Sequence, residues 1–450
     1  MKRYEAYKDS GVDWIGEIPK EWDVIKIKRF SKTLAGGTPS TDNLKFWDGN
    51  IPWLPSGKLQ NCDIYSAEKF ITELGLSKSA TKYIRENTTL IALTGATCAN
   101  IGYLKFKATA NQSVVAIEND ENQSNSRFLF YALMNERPRI LLNQTGGAQA
   151  GINENDVKNI LITFPPLPEQ TAIAEFLDDK TAKIDQLIGI KQKEIELLKE
   201  RRQILIQQAV TGKIVWDEST NAWTEPVEVK DSGVDWIGEI PEHWEVRKLK
   251  SFCTAFGRIG FRGYTTADLV DEGDGAITIS PSNIKETNME FNSNSYLSWF
   301  KYNESPEIKI RENDILIVKT GSTYGKIGIV KNLPQKATIN PQLLVLKKIQ
   351  IKADYLYELL KSEIFQLQVE RNVIGSTIPT ISETKILGFS VPIPTSEEEI
   401  NEISDYILNI NEKIAKAITL KEQEIEKLKE YKMVLIDNVV TGKVNVMDNV

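Results

Sequence analysis

The chain of 450 residues is poor in the residue types on which many enzymes and metal proteins depend. Histidine occurs once, at His243, which excludes a His-rich metal site and argues against His-dependent catalysis. The three cysteines, Cys62, Cys98 and Cys253, stand far apart with no CxxC pair. That spacing excludes a zinc ribbon and suits a reducing compartment. No apolar run approaches the ~18 residues of a membrane span, and the first residues lack the apolar core of a signal peptide. A cytoplasmic protein with no membrane contact is therefore expected. Lys+Arg total 55 against 62 for Asp+Glu, a net charge of −7. Net acidity speaks weakly against a nucleic-acid partner, because binding depends on a local basic face and not on the total.

Catalytic signatures are also missing. Gly321-Ser322-Thr323-Tyr324-Gly325-Lys326 resembles a phosphate loop, but it has one residue too few between its glycines, and Ile327 stands where Ser or Thr is required. Ser79-Ala80-Thr81-Lys82 and Lys319-Thr320-Gly321 echo the outer motifs of a penicillin-binding site without the middle one. Phe164-Pro165-Pro166-Leu167 lacks the polar head of an adenine-modifying loop, and Glu307-Ile308-Lys309 is a bare ExK. The expectation is a chain with no catalytic residue, no metal ligand and no cofactor of its own.

What the chain does have is repetition. Residues 8–19, KDSGVDWIGEIP, return unchanged at 230–241. Trp22-Asp23-Val24 is echoed by Trp244-Glu245-Val246. Thr211-Gly212-Lys213 recurs as Thr441-Gly442-Lys443, a shift of 230 (441 − 211). The stretches before these tripeptides, 169–213 and 396–443, carry a helical pattern. Under the same shift Ile184, Ile188, Ile195, Leu198 and Leu205 map onto Ile414, Ile418, Ile425, Leu428 and Leu435. The spacing alternates between four and three, the a/d seam of a coiled coil. The polar interruptions match too: Lys191 with Lys421, Arg202 with Lys432. Unrelated helices would not share their defects, so two long helices packed on each other are expected. Whether Lys191 and Arg202 set the register or face a partner stays open at this level.

Between the repeats, residues 20–165 and 242–393 read as mixed α/β, with short β-branched runs broken by Gly, Asn and Pro. Strands are expected at 89–93, 114–117, 315–318 and 343–346, and one helix per half, at 126–142 and 353–371. Thr94-Gly95-Ala96-Thr97 and Thr320-Gly321-Ser322-Thr323 follow equivalent strands at a shift of 226. A polar linker runs from 216 to 229. The fold class is α+β with an internal two-fold repeat: a first globular domain at 1–165, a long helix at 166–215, the linker, a second domain at 230–393, and a second long helix at 394–450.

The loops suit binding. Gly, Ser and Thr let backbone N–H groups approach phosphates, while Asn, Gln, Arg and Lys can pair with base edges. Candidate DNA contacts are Lys58, Thr94, Thr97, Asn100, Gln144 and Gln149 in the first half. In the second they are Arg258, Arg262, Ser322, Thr323, Tyr324, Lys326, Ser376 and Thr377. The recurring Trp14, Trp22, Trp236 and Trp244 read as core anchors.

The duplicated opening motif, Leu167-Pro168-Glu169-Gln170, the charged heptad helix and the closing Thr-Gly-Lys together resemble the specificity subunits of type I restriction–modification systems. The second copy departs at 394–398, where Pro-Thr-Ser-Glu-Glu replaces the PxPEQ-like start. The resemblance implies that each globular part is a target recognition domain reading half of a bipartite double-stranded DNA site. It implies that the two helices form an antiparallel coiled coil, and that two methyltransferase subunits dock on the helical regions. Restriction subunits would join through them, and S-adenosylmethionine, ATP and Mg would belong to those partners. A span of about 30 residues at 1.5 Å each is roughly 45 Å, or ~13 base pairs, so the helices can act as a ruler between half-sites. The alternative is a non-enzymatic coiled-coil adaptor with two protein-binding domains.

Overall fold

The computed structural model describes residues 2–142, 151–285, 288–375 and 378–447. Two compact units share the chain: Met1–Lys193 with Lys421–Val450, and Glu194–Leu420. Two helices of 44 residues, Leu167–Val210 and Glu397–Val440, contribute residues to both units.

In the first unit a five-stranded sheet runs in the order Ser31–Ala35, Val114–Asn119, Thr88–Ala92, Ile101–Leu104, Cys62–Ile64. Its central strands are apolar on both faces because each face meets a core. Leu90, Ala92, Val114 and Ala116 point into a cluster shared with Leu54, Leu59 and Ala110. Ile91, Val115 and Ile117 point the other way, into a cluster with Phe128, Leu129 and Leu133 of helix Ser126–Leu142. Period-two alternation with both phases buried is what a middle layer requires. Beside it lies a three-stranded sheet in the order Thr109–Ala110, Trp47–Leu54, Lys69–Ile71, its first pair parallel.

The second unit repeats the plan with different residues. Thr254–Gly257, Leu343–Lys347, Ile315–Val318 and Ile327–Ile329 form one sheet in that order. Leu316, Val318, Leu343 and Val345 enter one core. Ile315, Ile317, Leu344 and Leu346 enter the other. The other sheet, also of four strands, again pairs one strand, Gly275–Ile279, in parallel with Ala337–Ile339 and antiparallel with Ser295–Ser298. The helix expected at 353–371 is two, Ala353–Lys361 and Glu363–Asn372. Ser362 breaks it with an extended backbone (ψ 154), and its hydroxyl bonds Leu359 O at 2.6 Å. The stretch read as a linker contains a hairpin, Val215–Asp217 with Ala222–Thr224, whose Trp223 stacks on Tyr406 at 4.2 Å.

Each domain is closed by its ends. Asp23–Lys26 pairs with Leu161–Phe164, and Trp244–Lys248 with Ser390–Pro394, so the last strand before each long helix lies on the first strand after the opening motif. Trp22 and Trp244 are fully buried there, as expected of anchors. The Trp22 indole N–H donates to Glu169 at 2.9 Å and that of Trp244 to Glu399 at 2.8 Å. Glu399 therefore takes the place of Glu169 although the surrounding motif has changed. Ile400, buried, stands where Gln170 bonds Pro165 O and Asn125 N. Trp14 and Trp236 correct the expectation. They are 51% and 37% exposed, at the surface of hairpins Tyr7–Asp9/Glu17–Pro19 and Val229–Asp231/Glu239–Pro241.

The seam residues divide between the units. Ile184 and Ile188 pack with Leu428 and Leu435 in the first unit's core. Ion pairs Lys432–Asp185 and Lys191–Glu424, both 2.7 Å, link the same helix segments. Numbers rise along one helix as they fall along the other, so these segments run antiparallel. In the second unit Leu198 and Leu205 pack with Ile414 and Ile418. Ile195 and Ile425 are buried as well. The two polar interruptions differ in what they do. Lys191 bridges the helices, whereas Arg202 acts on the buried Glu358 of the domain helix Ala353–Lys361.

Both helices end in a left-handed glycine that docks on an opening motif. Gly212 (φ 72) would carry a Cβ 2.6 Å from Pro241 and 3.0 Å from Trp244. Gly442 (φ 75) meets Pro19 and Trp22 in the same way. A side chain there is strained by both conformation and space. Gly212→Ala and Gly442→Ala are each expected to cost about 2 kcal/mol or more, read as lower urea midpoints; Gly189→Ala, in open space on the helix, should not lower it.

Candidate nucleic-acid interface

In each unit several loops meet at the ends of the two sheets. In the first, the turn after Trp47–Leu54 begins with Pro55-Ser56-Gly57-Lys58 and a short 3-10 turn. The turn between Thr88–Ala92 and Ile101–Leu104 holds Thr94 and Thr97, bent by Gly95 (φ 70) and Ala99 (φ 60). Thr94 is exposed, bonds Ser113 Oγ at 3.0 Å and bridges to Gly151. Leu93 N–H donates to Ser113 O at 2.8 Å, and the side chain of Asn111 accepts from Ser113 N at 3.2 Å. Thr38 bonds Gln112 across the same cluster.

The second unit reproduces this frame. Ser280-Pro281-Ser282-Asn283 forms the 3-10 turn after Gly275–Ile279. Gly321 (φ 106) and Gly325 (φ 79) bend the turn bearing Ser322 and Thr323, both exposed. Thr320 bridges to Thr380, as Thr94 does to Gly151. Lys319 N–H donates to Gln342 O at 2.8 Å, and Asn340 Oδ1 accepts from Gln342 N at 3.0 Å. Ser113 and Asn111 thus correspond to Gln342 and Asn340. The sequence reading missed these turns, together with Thr38 and Gln112. The signal was available: an Asn two residues before the residue that latches the Thr-Gly loop, in both halves.

The candidates fall into distinct groups. Ser322 and Thr323 stand at the loop surface, while Tyr324 is half-buried against the core and Lys326 half-buried beside Gly325. Thr97 bonds Thr94 O at the long distance of 3.4 Å. Lys58 is half-buried and paired with Glu68 at 2.7 Å, and the ammonium holds that carboxyl below its ordinary range. Asn100 is committed within the protein: its amide donates to Leu59 O at 2.8 Å and accepts from Arg137 at 2.8 Å. Arg258 is only 6% exposed, and its guanidinium donates to Ile339 O, Thr338 Oγ1 and Arg262 O. Burial lowers the pKa of Arg258 despite the favourable field of Tyr264 and two glutamates. The expectation of a DNA contact at Asn100 and Arg258 therefore meets side chains that tie loops together from inside. Arg262 pairs with Glu307 at 3.2 Å. Gln144, Gln149, Ser376 and Thr377 lie outside the described residues.

Backbone N–H groups, hydroxyls and amides dominate these clusters. They can bind phosphate and base edges and supply no nucleophile–base pair. Among the described residues no group of His, Cys, Asp and Glu is arranged to hold a metal ion. No described helix is long and apolar enough to cross a membrane.

Each unit is a mixed α/β module that carries a latched loop cluster, and the two long helices contribute residues to both. The chain belongs to the family of the type I restriction modification DNA specificity domain, whose family model matches residues 19–197 and 241–430. It is similar to the type I restriction enzyme MjaVIII specificity subunit of Methanocaldococcus jannaschii, 27% identical over 439 residues, 95% of this chain and 94% of that one. It is also similar to the EcoKI specificity subunit of Escherichia coli K12, 21% identical over 431 residues, 91% of this chain and 85% of that one. Among solved structures, a chain of a type I R-M system, studied for its complex assembly and conformational transition, superposes with a TM-score of 0.66 at 16% identity. That match covers 95% of this chain and 99% of the other. The HsdS subunit from Thermoanaerobacter tengcongensis gives 0.50 at 16% identity, covering 95% and 98%. At such identities the structural likeness speaks to the fold.

Arg258→Ala is expected to lower stability by about 2–3 kcal/mol, because buried carbonyls lose charged donors. Ser322→Ala with Thr323→Ala should leave the urea midpoint unchanged while weakening any ligand of this loop.

Proposed function

We propose that this chain is the DNA-reading subunit of a type I restriction–modification assembly, with each loop cluster reading one half of a bipartite site. The observation that carries the reading is the pairing of similar frames with different contents. The order of four strands, the turn positions and the latches recur, while Thr94-Gly95-Ala96-Thr97 corresponds to Thr320-Gly321-Ser322-Thr323 and Ser113 to Gln342. A common frame positions each reader alike, and a different surface gives each its own sequence. Family membership and full-length similarity to subunits named for specificity support it. They also disfavour a protein-binding adaptor.

The subunit is non-catalytic on this reading. Methyl transfer, with S-adenosylmethionine, belongs to methyltransferase subunits, present in two copies; ATP and Mg belong to restriction subunits that join through them. The free cysteines agree with a cytoplasmic location. The helices Leu167–Val210 and Glu397–Val440 form an antiparallel coiled coil that acts as the ruler. Support comes from the ion pairs Lys191–Glu424 and Lys432–Asp185 and from seam packing within each unit.

With methyltransferase subunits present, the chain should protect two short half-sites on DNA, with affinity falling steeply as salt rises. Salt-independent binding without sequence preference would count against the reading. The chain alone should transfer no methyl group. Matched heptad insertions after Gly189 and after Ile425 should lengthen the recognised spacer by about 3 base pairs, at 1.5 Å per residue and 3.4 Å per base pair, and leave both half-sites unchanged. Methylation mapping reads both quantities, and an unaltered spacer would defeat the ruler.

A further inference from the structure

A turn of matching sequence joins the two sheets in each half. Ala108-Thr109-Ala110-Asn111-Gln112-Ser113-Val114-Val115 corresponds to Ala337-Thr338-Ile339-Asn340-Pro341-Gln342-Leu343-Leu344, a shift of 229 (337 − 108). It leads from the strand with a parallel partner into a central strand: Thr109–Ala110 into Val114–Asn119, and Ala337–Ile339 into Leu343–Lys347. The same four hydrogen bonds hold both copies. Asn111 N–H donates to Leu54 O at 3.0 Å, and Asn340 N–H to Ile279 O at 2.9 Å. Val114 N–H donates to Asn111 O at 3.1 Å, and Leu343 N–H to Asn340 O at 3.2 Å. The other two tie Ser113 and Gln342 to the residue before the Thr-Gly loop and to the asparagine side chain two positions back.

On this common backbone the side chains differ. Ser113 is short, and Thr94 donates to its hydroxyl at 3.0 Å. Gln342 is exposed and extends from a pinned backbone next to Pro341, whose ring fixes φ. Thr320, the counterpart of Thr94, is bonded by Thr380 instead, at 3.4 Å. Gly321 passes beside the Gln342 amide, and a Cβ there would stand 3.3 Å from Nε2. Asn340 Nδ2 donates to Gln342 Oε1 at 3.2 Å and so sets the direction of the amide. That bond uses one lone pair of Oε1. The second lone pair and the Nε2 hydrogens present an acceptor beside a donor. In the major groove guanine shows two acceptors, cytosine a donor, and thymine an acceptor beside a methyl group; adenine shows a donor beside an acceptor. Only adenine satisfies both groups of the amide. A side chain already oriented loses little freedom on binding.

We propose that Gln342 reads an adenine in the half-site bound by the second loop cluster: adenine N6–H donates to Oε1, and Nε2–H donates to N7. Asn340 is its positioning residue. This rests on the functional reading above and names one letter of the site. The adenine is not the methylated base, because a base undergoing chemistry leaves the stack and cannot be read from the groove.

Methylation mapping of cells that carry the full chain with the methyltransferase subunit of its own system tests this. The unaltered chain should give a bipartite motif in which one half-site holds a fixed A·T pair besides the methylated base. Gln342→Ala should make that single position degenerate, its selectivity falling about 5–150-fold. The other half-site, the spacer and the urea midpoint should not change. Gln342→Arg should move the same position to G·C, since a guanidinium pairs with guanine O6 and N7. Asn340→Asp keeps an acceptor for Gln342 N–H and loses the Nδ2 donor; it should relax that position and no other. An unchanged motif with Gln342→Ala would overturn the proposal. So would degeneracy at a pair other than A·T, a uniform loss of methylation with the motif intact, or one motif shared by Gln342→Ala and Gln342→Arg. A motif unaltered by Asn340→Asp would overturn the positioning role. Absence of any bipartite motif with the unaltered chain would sink the functional reading instead, and no variant produces that result.

Discussion

The bond between a buried indole and a helix-leading carboxylate holds each module together. Trp22 to Glu169 and Trp244 to Glu399 join the first turn of a long helix to the strand after the opening hairpin. Around this bond gather the glycine that ends the other helix, the proline that ends the hairpin, and the strand that closes the domain. A charge-assisted bond contributes about 1.5–3 kcal/mol. Its larger effect is geometric, because it fixes the direction in which each helix leaves its module. Anything measured along those helices inherits that direction.

The frame and the recognition surface follow different rules. The frame demands particular residues: glycines with positive φ at 212 and 442, tryptophans at 22 and 244, carboxylates at 169 and 399. The loop clusters demand only that their latches hold. Thr94 latches to Gly151 and Thr320 to Thr380, and the residues between are released to vary. That division lets one scaffold accept different specificities without refolding.

Sequence periodicity exposed the frame well. The two long helices and two strands of each central sheet were readable because burial imposes a repeat that composition alone cannot imitate. Within the candidate site the same reasoning reached the loops but not the individual side chains. Asn100 and Arg258 look like base readers, yet their amide and guanidinium bind backbone carbonyls of the same domain. Donor and acceptor types are visible in a sequence; the direction they point is not. Trp14 and Trp22 make the same point eight residues apart, one half-exposed and one fully buried, through their different positions on one short hairpin and the strand after it. Glu399 was hidden for another reason. Its neighbours changed while its bond to the Trp244 indole did not, and His243 Nε2 lies 3.0 Å from the same carboxylate.

The first unit is assembled from both extremes of the chain: residues 2 and 445 bridge, and Tyr7 donates to Gly442 O at 3.1 Å. The second unit is one continuous stretch, Glu194–Leu420. During synthesis the order of completion is therefore inverted. The unit that begins first waits for Val439, Val440 and Val446 to emerge before its core is sealed. The unit that begins later has all its parts before the ribosome reaches them. A ribosome that stops short of residue 421 would release a chain with one finished reader and one open core, which quality control can distinguish by its exposed apolar surface.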